Sequence, residues 1–307
     1  MTTLPTAVQL YLRRCDAKGI DPKTVRWYHQ KLRDFIRLLP AETTSEELRA
    51  PQLIEAMAVL RAQRPNGKLR SSHTLHGYTQ VVRGWLAWLG KQELAPGGLD
   101  QKLELPRVAK RIIPVVTLED QAALLEAARF EQQPWLVERD RAIVRLMLDT
   151  GLRAGEVCRL RRRDLHLELD PHVRVIGKGD KEREVGPLAE ETLKALRRYL
   201  RLQPRPAPDD VVFLNRYHQP LTPSGLDRML YRLRDWAGMR GQEIRAHVLR
   251  HTYAVETLAA GCDIKILSLL LGHSSVTTTE IYLRSFTQQS ARHLVPRRPD
   301  SVKRPLV

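Results

Sequence analysis

HVLRHTYAVETLAAGCDIKILSLLLGHSSVTTTEIY, residues 247–282, is the stretch whose punctuation decides how this chain is organised. Apolar residues recur at helical spacing from His247 to Ala260, and Gly261 stops that helix. Asp263 caps a second helix that Gly272 ends, so His273 falls just past a helix C-terminus. Ser274-Ser275 lead to a further short helix carrying Tyr282. Imidazoles, a guanidinium and a phenol (His247, Arg250, His251, His273, Tyr282) therefore lie on three elements, up to 35 positions apart. These groups suit a phosphate, and only a tertiary fold can gather them.

Working back from that stretch, Thr117 reads as an N-cap with Asp120 three residues on, and a second helix runs from about Leu136 to Thr150 before Gly151. Arg153 and Glu156 follow, three apart, so both point to one side of a new helix. An ordinary helix-end salt bridge has the same pattern. Residues 165–185 read as three short strands, Leu165–Leu169, Val173–Ile176 and Glu182–Val185. Lys178 sits at the second hairpin tip between Gly177 and Gly179, which permit close backbone approach to a ligand, though most turn lysines are simply solvated. A helix over 188–202, a strand over Val211–Leu214 and a helix over 224–237 complete the region.

The N-terminal 90 residues read as four helices joined by short turns, a compact all-α domain. They start near Leu4, at Asp21-Pro22, after Ser45 and after Pro65-Asn66-Gly67. Lys68, Arg70, Ser71 and His73 mix cations with small hydroxyls at the start of the fourth helix, a combination suited to DNA phosphates. A solvated charged face accounts for any single one of them equally well. From 91 to 116 prolines and glycines alternate with basic residues, Arg111 among them, as expected of a basic interdomain linker lying along DNA. The chain reads as mainly α with a small antiparallel β-sheet (α+β), divided into a helical domain over 1–90, the linker, a catalytic domain over 117–285 and a tail over 286–307.

Fifty-one basic residues against 35 acidic ones give a formal charge of +16, which calls for a polyanionic partner, nucleic acid first. Cys15, Cys158 and Cys262 are too few and too scattered for a disulfide framework or a zinc finger. The N-terminus lacks the apolar core of a signal peptide and no apolar run reaches the length of a membrane span, so a cytoplasmic protein with no membrane partner is expected.

His247 and His251, four apart, have the spacing of a zinc hydrolase face, but Val248 stands where that motif has glutamate and no third ligand follows. A phosphate reading uses more residues. Cleaving a phosphodiester without a metal requires charge neutralisation, an in-line nucleophile and a proton for the leaving oxygen. Arg250 with Arg153, Tyr282 and Lys178 are candidates for these three roles.

The motifs TGLRAGE (150–156), GKG (177–179), HVLRH (247–251), LGH (271–273) and TTEIY (278–282) occur in the order and spacing of the tyrosine recombinases, the phage-integrase and Xer-type site-specific recombinases. The resemblance covers nearly the whole chain. It implies a SAM-like core-binding domain followed by a catalytic domain, and an enzyme that cuts and rejoins DNA through a 3′-phosphotyrosyl link. By matching positions, Tyr282 corresponds to the nucleophile, Arg153 and Arg250 to the phosphate clamp and Lys178 to the general acid. His247 matches the position of proton transfer with the tyrosine, His273 a phosphate hydrogen-bonding position, Glu156 an orienting acid and His251 a less critical histidine. The resemblance further implies no cofactor, metal or ATP, and a homotetramer on two DNA duplexes, with or without a second related recombinase. The tail over 286–297 is expected to dock on a neighbouring protomer. Two departures stand out: the apolar Val248, and a start directly at the core-binding helices, which leaves no room for an arm-site domain. Both integration or excision of a mobile element and resolution of chromosome or plasmid dimers fit. A DNA-binding protein without catalysis and a type IB topoisomerase remain as alternatives at this point.

Overall fold

A computed structural model describes residues 1–62, 69–108, 114–177, 182–203, 207–273 and 275–283. The chain forms two compact units, Met1–Arg111 and Ile112–Val307. Among the described residues no helix is long and apolar enough to cross a membrane.

The first unit is built on α1 (Leu4–Ala17), α2 (Pro22–Ile36), α3 (Ala50–Ala62) and α4 (Ser72–Lys91). Asp21 caps α2 by accepting from the Lys23 amide at 2.8 Å, with Pro22 supplying a preset φ at the first position. Trp85, Phe35, Leu32, Leu53 and Leu89 are fully buried in a shared core. The third helix does not follow Ser45 directly, as the sequence reading places it. Thr44 and Glu47 instead close a reciprocal box over one 3₁₀ turn, Ser45–Glu47, with the Thr44 amide donating to Glu47 at 3.0 Å. The helix restarts at Ala50, because Pro51 is tolerated only in a first turn. The expected linker over 91–116 is also corrected in part. Ala95, Leu99 and Leu103 are buried against the helical core, because apolar side chains flanking a 3₁₀ turn at Leu99–Lys102 gain more from burial than from extension.

The second unit comprises α5 (Leu118–Ala127), α6 (Pro134–Thr150), α7 (Ala154–Arg159), β1 (Leu165–His166), β2 (His172–Ile176), β3 (Glu182–Val185), α8 (Glu190–Arg201), α9 (Pro223–Trp236), α10 (Ala246–Ala259), α11 (Ile264–Leu271) and α12 (Glu280–Leu283). The sheet is antiparallel in the order β1-β2-β3, with Val173 opposite Val185 and Val175 opposite Arg183. The first strand is shorter than the expected Leu165–Leu169, since residues 168–170 bend toward Pro171. Val211–Leu214 is not a strand. It makes single bridges from Val211 to Arg161 and from Leu214 to Pro220, a residue with no N–H to extend a ladder. Fully buried Ile143, Val144, Met147, Leu196, Phe213 and Leu249 fix α6, α8 and α10 around one core. A smaller cluster joins Tyr253, Leu258, Leu267, Leu271 and Tyr282, and so holds α10, α11 and α12 together.

Candidate active site

The site forms where the ends of two helices meet. Gly151 ends α6 and Gly272 ends α11, both with left-handed φ (59° and 62°). At both ends a carbonyl from the helix terminus accepts from one buried guanidinium. Arg250, only 7% exposed, donates to the Gly151 carbonyl at 2.7 Å, to the Leu271 carbonyl at 2.8 Å and to His273 Nε2 at 2.8 Å. The negative ends of two helix dipoles thus receive a buried cation. Burial pushes the Arg250 pKa down, with the nearby Arg153 charge next in weight, while Tyr282 and Glu156 oppose them.

Arg153 begins α7. Glu156 accepts from its backbone amide at 2.8 Å and from Nη1 at 3.0 Å, and the Gly272 carbonyl accepts from Nη2 at 3.2 Å. The helix-end salt bridge that the spacing allowed is therefore present, yet Arg153 also reaches the turn after α11 that Arg250 holds. Arg153 keeps 43% of its side chain exposed, so part of this guanidinium can meet a ligand. Burial pushes the Glu156 carboxyl up, but hydrogen bonds from Arg183 and from the Arg153 amide, with both guanidinium charges, outweigh it and hold the carboxyl below its usual range.

A guanidinium only donates, so His273 Nε2 must accept from Arg250, and Nδ1 carries the proton that Thr279 Oγ1 accepts at 2.8 Å. Burial first, then the charges of Arg250, Arg153 and Arg183, lower the His273 pKa to about 4. The imidazole is neutral near pH 7. Its ring lies nearly parallel to Tyr282 (centroids 6.2 Å apart, 14° between planes), and His251 packs on the same phenol at 5.1 Å. Tyr282 itself is 5% exposed.

The structure thus gathers Arg153, Glu156, Arg250, His251, His273 and Tyr282. His247 lies in the first turn of α10, exposed, one turn before Arg250, whereas His251 is buried. That difference divides the face which their spacing offers for a metal. Among the described residues no three His, Cys, Asp or Glu side chains are grouped for a metal ion. Lys178 lies outside the described residues, as do Lys68 and Arg111. Of the remaining basic candidates in the first unit, Arg70 donates to the Leu60 carbonyl and lies over the Tyr78 ring, and Ser71 caps α4. Both are engaged by their own fold, while His73 is exposed on the first turn of α4.

Two residues that sequence reasoning does not single out complete the network. Thr279 is fully buried behind His273. Arg183 donates to both Glu156 oxygens (3.1 and 2.9 Å) and to the Leu270 carbonyl (2.8 Å). Alternation with Val185 was the available signal for Arg183, since residues two apart share a strand face.

Residues 115–289 match the model of the phage integrase family. The chain is 31% identical to tyrosine recombinase XerD of Listeria innocua, over 86% of this chain and 89% of that one. It is 29% identical to tyrosine recombinase XerC of Neisseria meningitidis serogroup B, over 92% and 91%. Among solved structures, XerH recombinase in a pre-cleavage complex with its difH substrate aligns with a TM-score of 0.67 and 24% identity, covering 90% of this chain and 80% of that one. A lambda integrase dimer on a core site aligns at 0.72 and 18%, covering 90% and 97%. At these identities the likeness is one of fold.

Proposed function

The chain belongs to the phage integrase family and is a site-specific tyrosine recombinase, and from that premise we propose that it cleaves and rejoins duplex DNA through a 3′-phosphotyrosyl intermediate on Tyr282. The observation that carries this reading is the convergence of Arg153 and Arg250 on the turn Leu271–His273, with the Tyr282 ring stacked on His273. Two cations held close by carbonyls and Glu156 form a preorganised receptor for an anion whose charge grows in the transition state. Burial first, and then the Arg153 charge, lower the Arg250 pKa, and an incoming phosphate offsets both.

In the proposed reaction the Tyr282 oxygen attacks phosphorus, the bond to the 5′-oxygen breaks, and the ester energy is kept in the new phosphotyrosine. The phenol proton leaves to His247, by its matching position, and the 5′-oxygen takes a proton from Lys178, assigned by its place in the GKG motif. Attack of a 5′-hydroxyl from the partner strand reverses both transfers. His273 can donate to a phosphate oxygen only with its proton on Nε2. In this scheme phosphate entry frees Nε2 from Arg250, the ring gives its Nδ1 proton to water and takes one on Nε2, and the Thr279 hydroxyl turns to donate to Nδ1. The arginine pair takes the role of charge neutralisation, so neither metal nor ATP enters the scheme.

Double-stranded DNA is the proposed partner, supported by the formal charge of +16. A tetramer on two duplexes, formed with or without a related recombinase, is the proposed working assembly, in element integration or excision or in dimer resolution. The proposed docking tail, 286–297, lies outside the described residues.

A nicked suicide substrate should trap the chain covalently on DNA, in the presence of EDTA as in its absence. Tyr282→Phe should form no adduct while binding the same DNA. An adduct formed by the Phe variant would remove Tyr282 as nucleophile, and loss of the adduct in EDTA would reopen a metal mechanism. Plasmid relaxation without exchange between two sites would favour a topoisomerase.

A further inference from the structure

Arg183 belongs to the small sheet, yet it reaches both halves of the candidate site. It stands opposite Val175 on the strand face whose other members, Val173 and Val185, are fully buried. An apolar residue would satisfy that position by packing alone. The arginine side chain there is only 11% exposed, and it directs Nη1 and Nη2 to the two oxygens of Glu156 and Nε to the Leu270 carbonyl. Glu156 uses the same two oxygens to hold Arg153. Leu270 belongs to the α11 terminus, whose next carbonyls, Leu271 and Gly272, hold Arg250 and Arg153, and whose next side chain, His273, meets Arg250. Each arginine of the site is therefore one intermediate away from Arg183. The space is shaped to this fork: a Cβ on Gly272 would stand 2.9 Å from its Nη1 and 3.0 Å from its Cζ.

Two physical considerations separate a positioning role from simple adhesion of sheet to helix. A buried ion pair is a poor source of stability compared with apolar packing, because desolvation offsets the attraction. A bidentate guanidinium–carboxylate pair does fix direction, because both partners are planar and make two parallel hydrogen bonds. Resting on the recombinase reading of this site, we propose that Arg183 is a positioning residue for strand cleavage. Through Glu156 and the α11 terminus, it sets the two phosphate-clamping arginines at their working separation. It touches no substrate, and its effect on the reaction passes through Arg153 and Arg250.

The test measures single-turnover cleavage of a suicide DNA substrate by the full chain, with DNA affinity measured in parallel. Arg183→Gln and Arg183→Lys are both made, since the lysine variant keeps the charge but not the fork and carries the test if the glutamine variant does not fold. At saturating DNA the cleavage rate should fall about 100-fold, the scale expected for misplacing reacting groups by about 1 Å. The affinity should change by less than about threefold, because phosphate contacts spread over the duplex dominate binding. Glu156→Gln should also slow cleavage. Combined with Arg183→Gln it should be no more than about threefold slower than the slower single variant, because residues acting through one network are not additive. A native cleavage rate in Arg183→Lys, a loss confined to affinity, or a double variant whose defect is the product of the single defects would each overturn the proposal. Failure of the native chain to form a Tyr282-dependent adduct would instead count against the recombinase reading itself.

Discussion

His273 shows how much one side chain's chemistry depends on its neighbours. A histidine in water is half-protonated near pH 6.5, but burial and three arginine charges lower this one to about 4. In the unfolded chain the ring takes its proton first as pH falls, so the folded state loses stability between about pH 6.5 and 4 and keeps this contribution above that window. Urea unfolding of the native chain and of His273→Gln at pH 7 and pH 5 checks this. The native chain should lose more stability between the two pH values than the variant does. Equal losses would show that His273 is not the group responsible. The same neutrality makes His273 a switchable partner, able to accept from Arg250 while the site is empty and to donate once a phosphate arrives.

At the scale of elements, the site depends on how helices end more than on how they run. Gly151 closes α6 in a left-handed conformation, offers its carbonyl to Arg250 and lies against Tyr253 and Leu271. Gly151→Ala should cost about 1–2 kcal/mol from the left-handed backbone alone. A further loss should follow from contact, because its Cβ would lie 2.9 Å from Tyr253 Cε1 and 3.0 Å from Leu271 Cδ2. Urea unfolding that follows the second unit should record this loss, and cleavage should fall with it, since the Arg250 acceptor moves. A variant as stable and as active as the native chain would show that the turn tolerates a side chain. Gly272 works by the same principle at the end of α11, where the missing side chain leaves room for Arg183.

Over the whole molecule, the excess of basic residues sets the terms of association. Each phosphate neutralised releases counterions, so affinity falls linearly on logarithmic axes as salt rises. A protein engaging about six phosphates loses about 10³ in affinity between 50 and 200 mM salt. A drop of that order is expected for this chain with its formal charge of +16. Filter binding or fluorescence anisotropy across that range checks it, and an affinity independent of salt would exclude backbone-dominated binding.

Local sequence signals give the order of elements and the positions of most candidate site residues. Capping residues and glycines act locally, so Asp21, Thr117, Gly151, Asp263 and Gly272 marked helix ends that the structure places at the same residues. Four of the five motifs likewise marked Arg153, Glu156, Arg250, His273 and Tyr282, which the fold gathers. Which partner each polar group takes depends instead on how the elements pack. Glu46 turns to the Thr2 amide instead of leading a helix, and Ala95, Leu99 and Leu103 join the helical core instead of running free. Arg183 binds Glu156 from a strand that reads simply as half-buried, and Thr279 lies behind His273. Caps and periodicity depend on neighbours a few residues away, whereas Arg183 and Glu156 are 27 positions apart, and the Arg153 contact with Gly272 spans 119. No local pattern encodes such pairings, because packing the elements onto one core is what creates them.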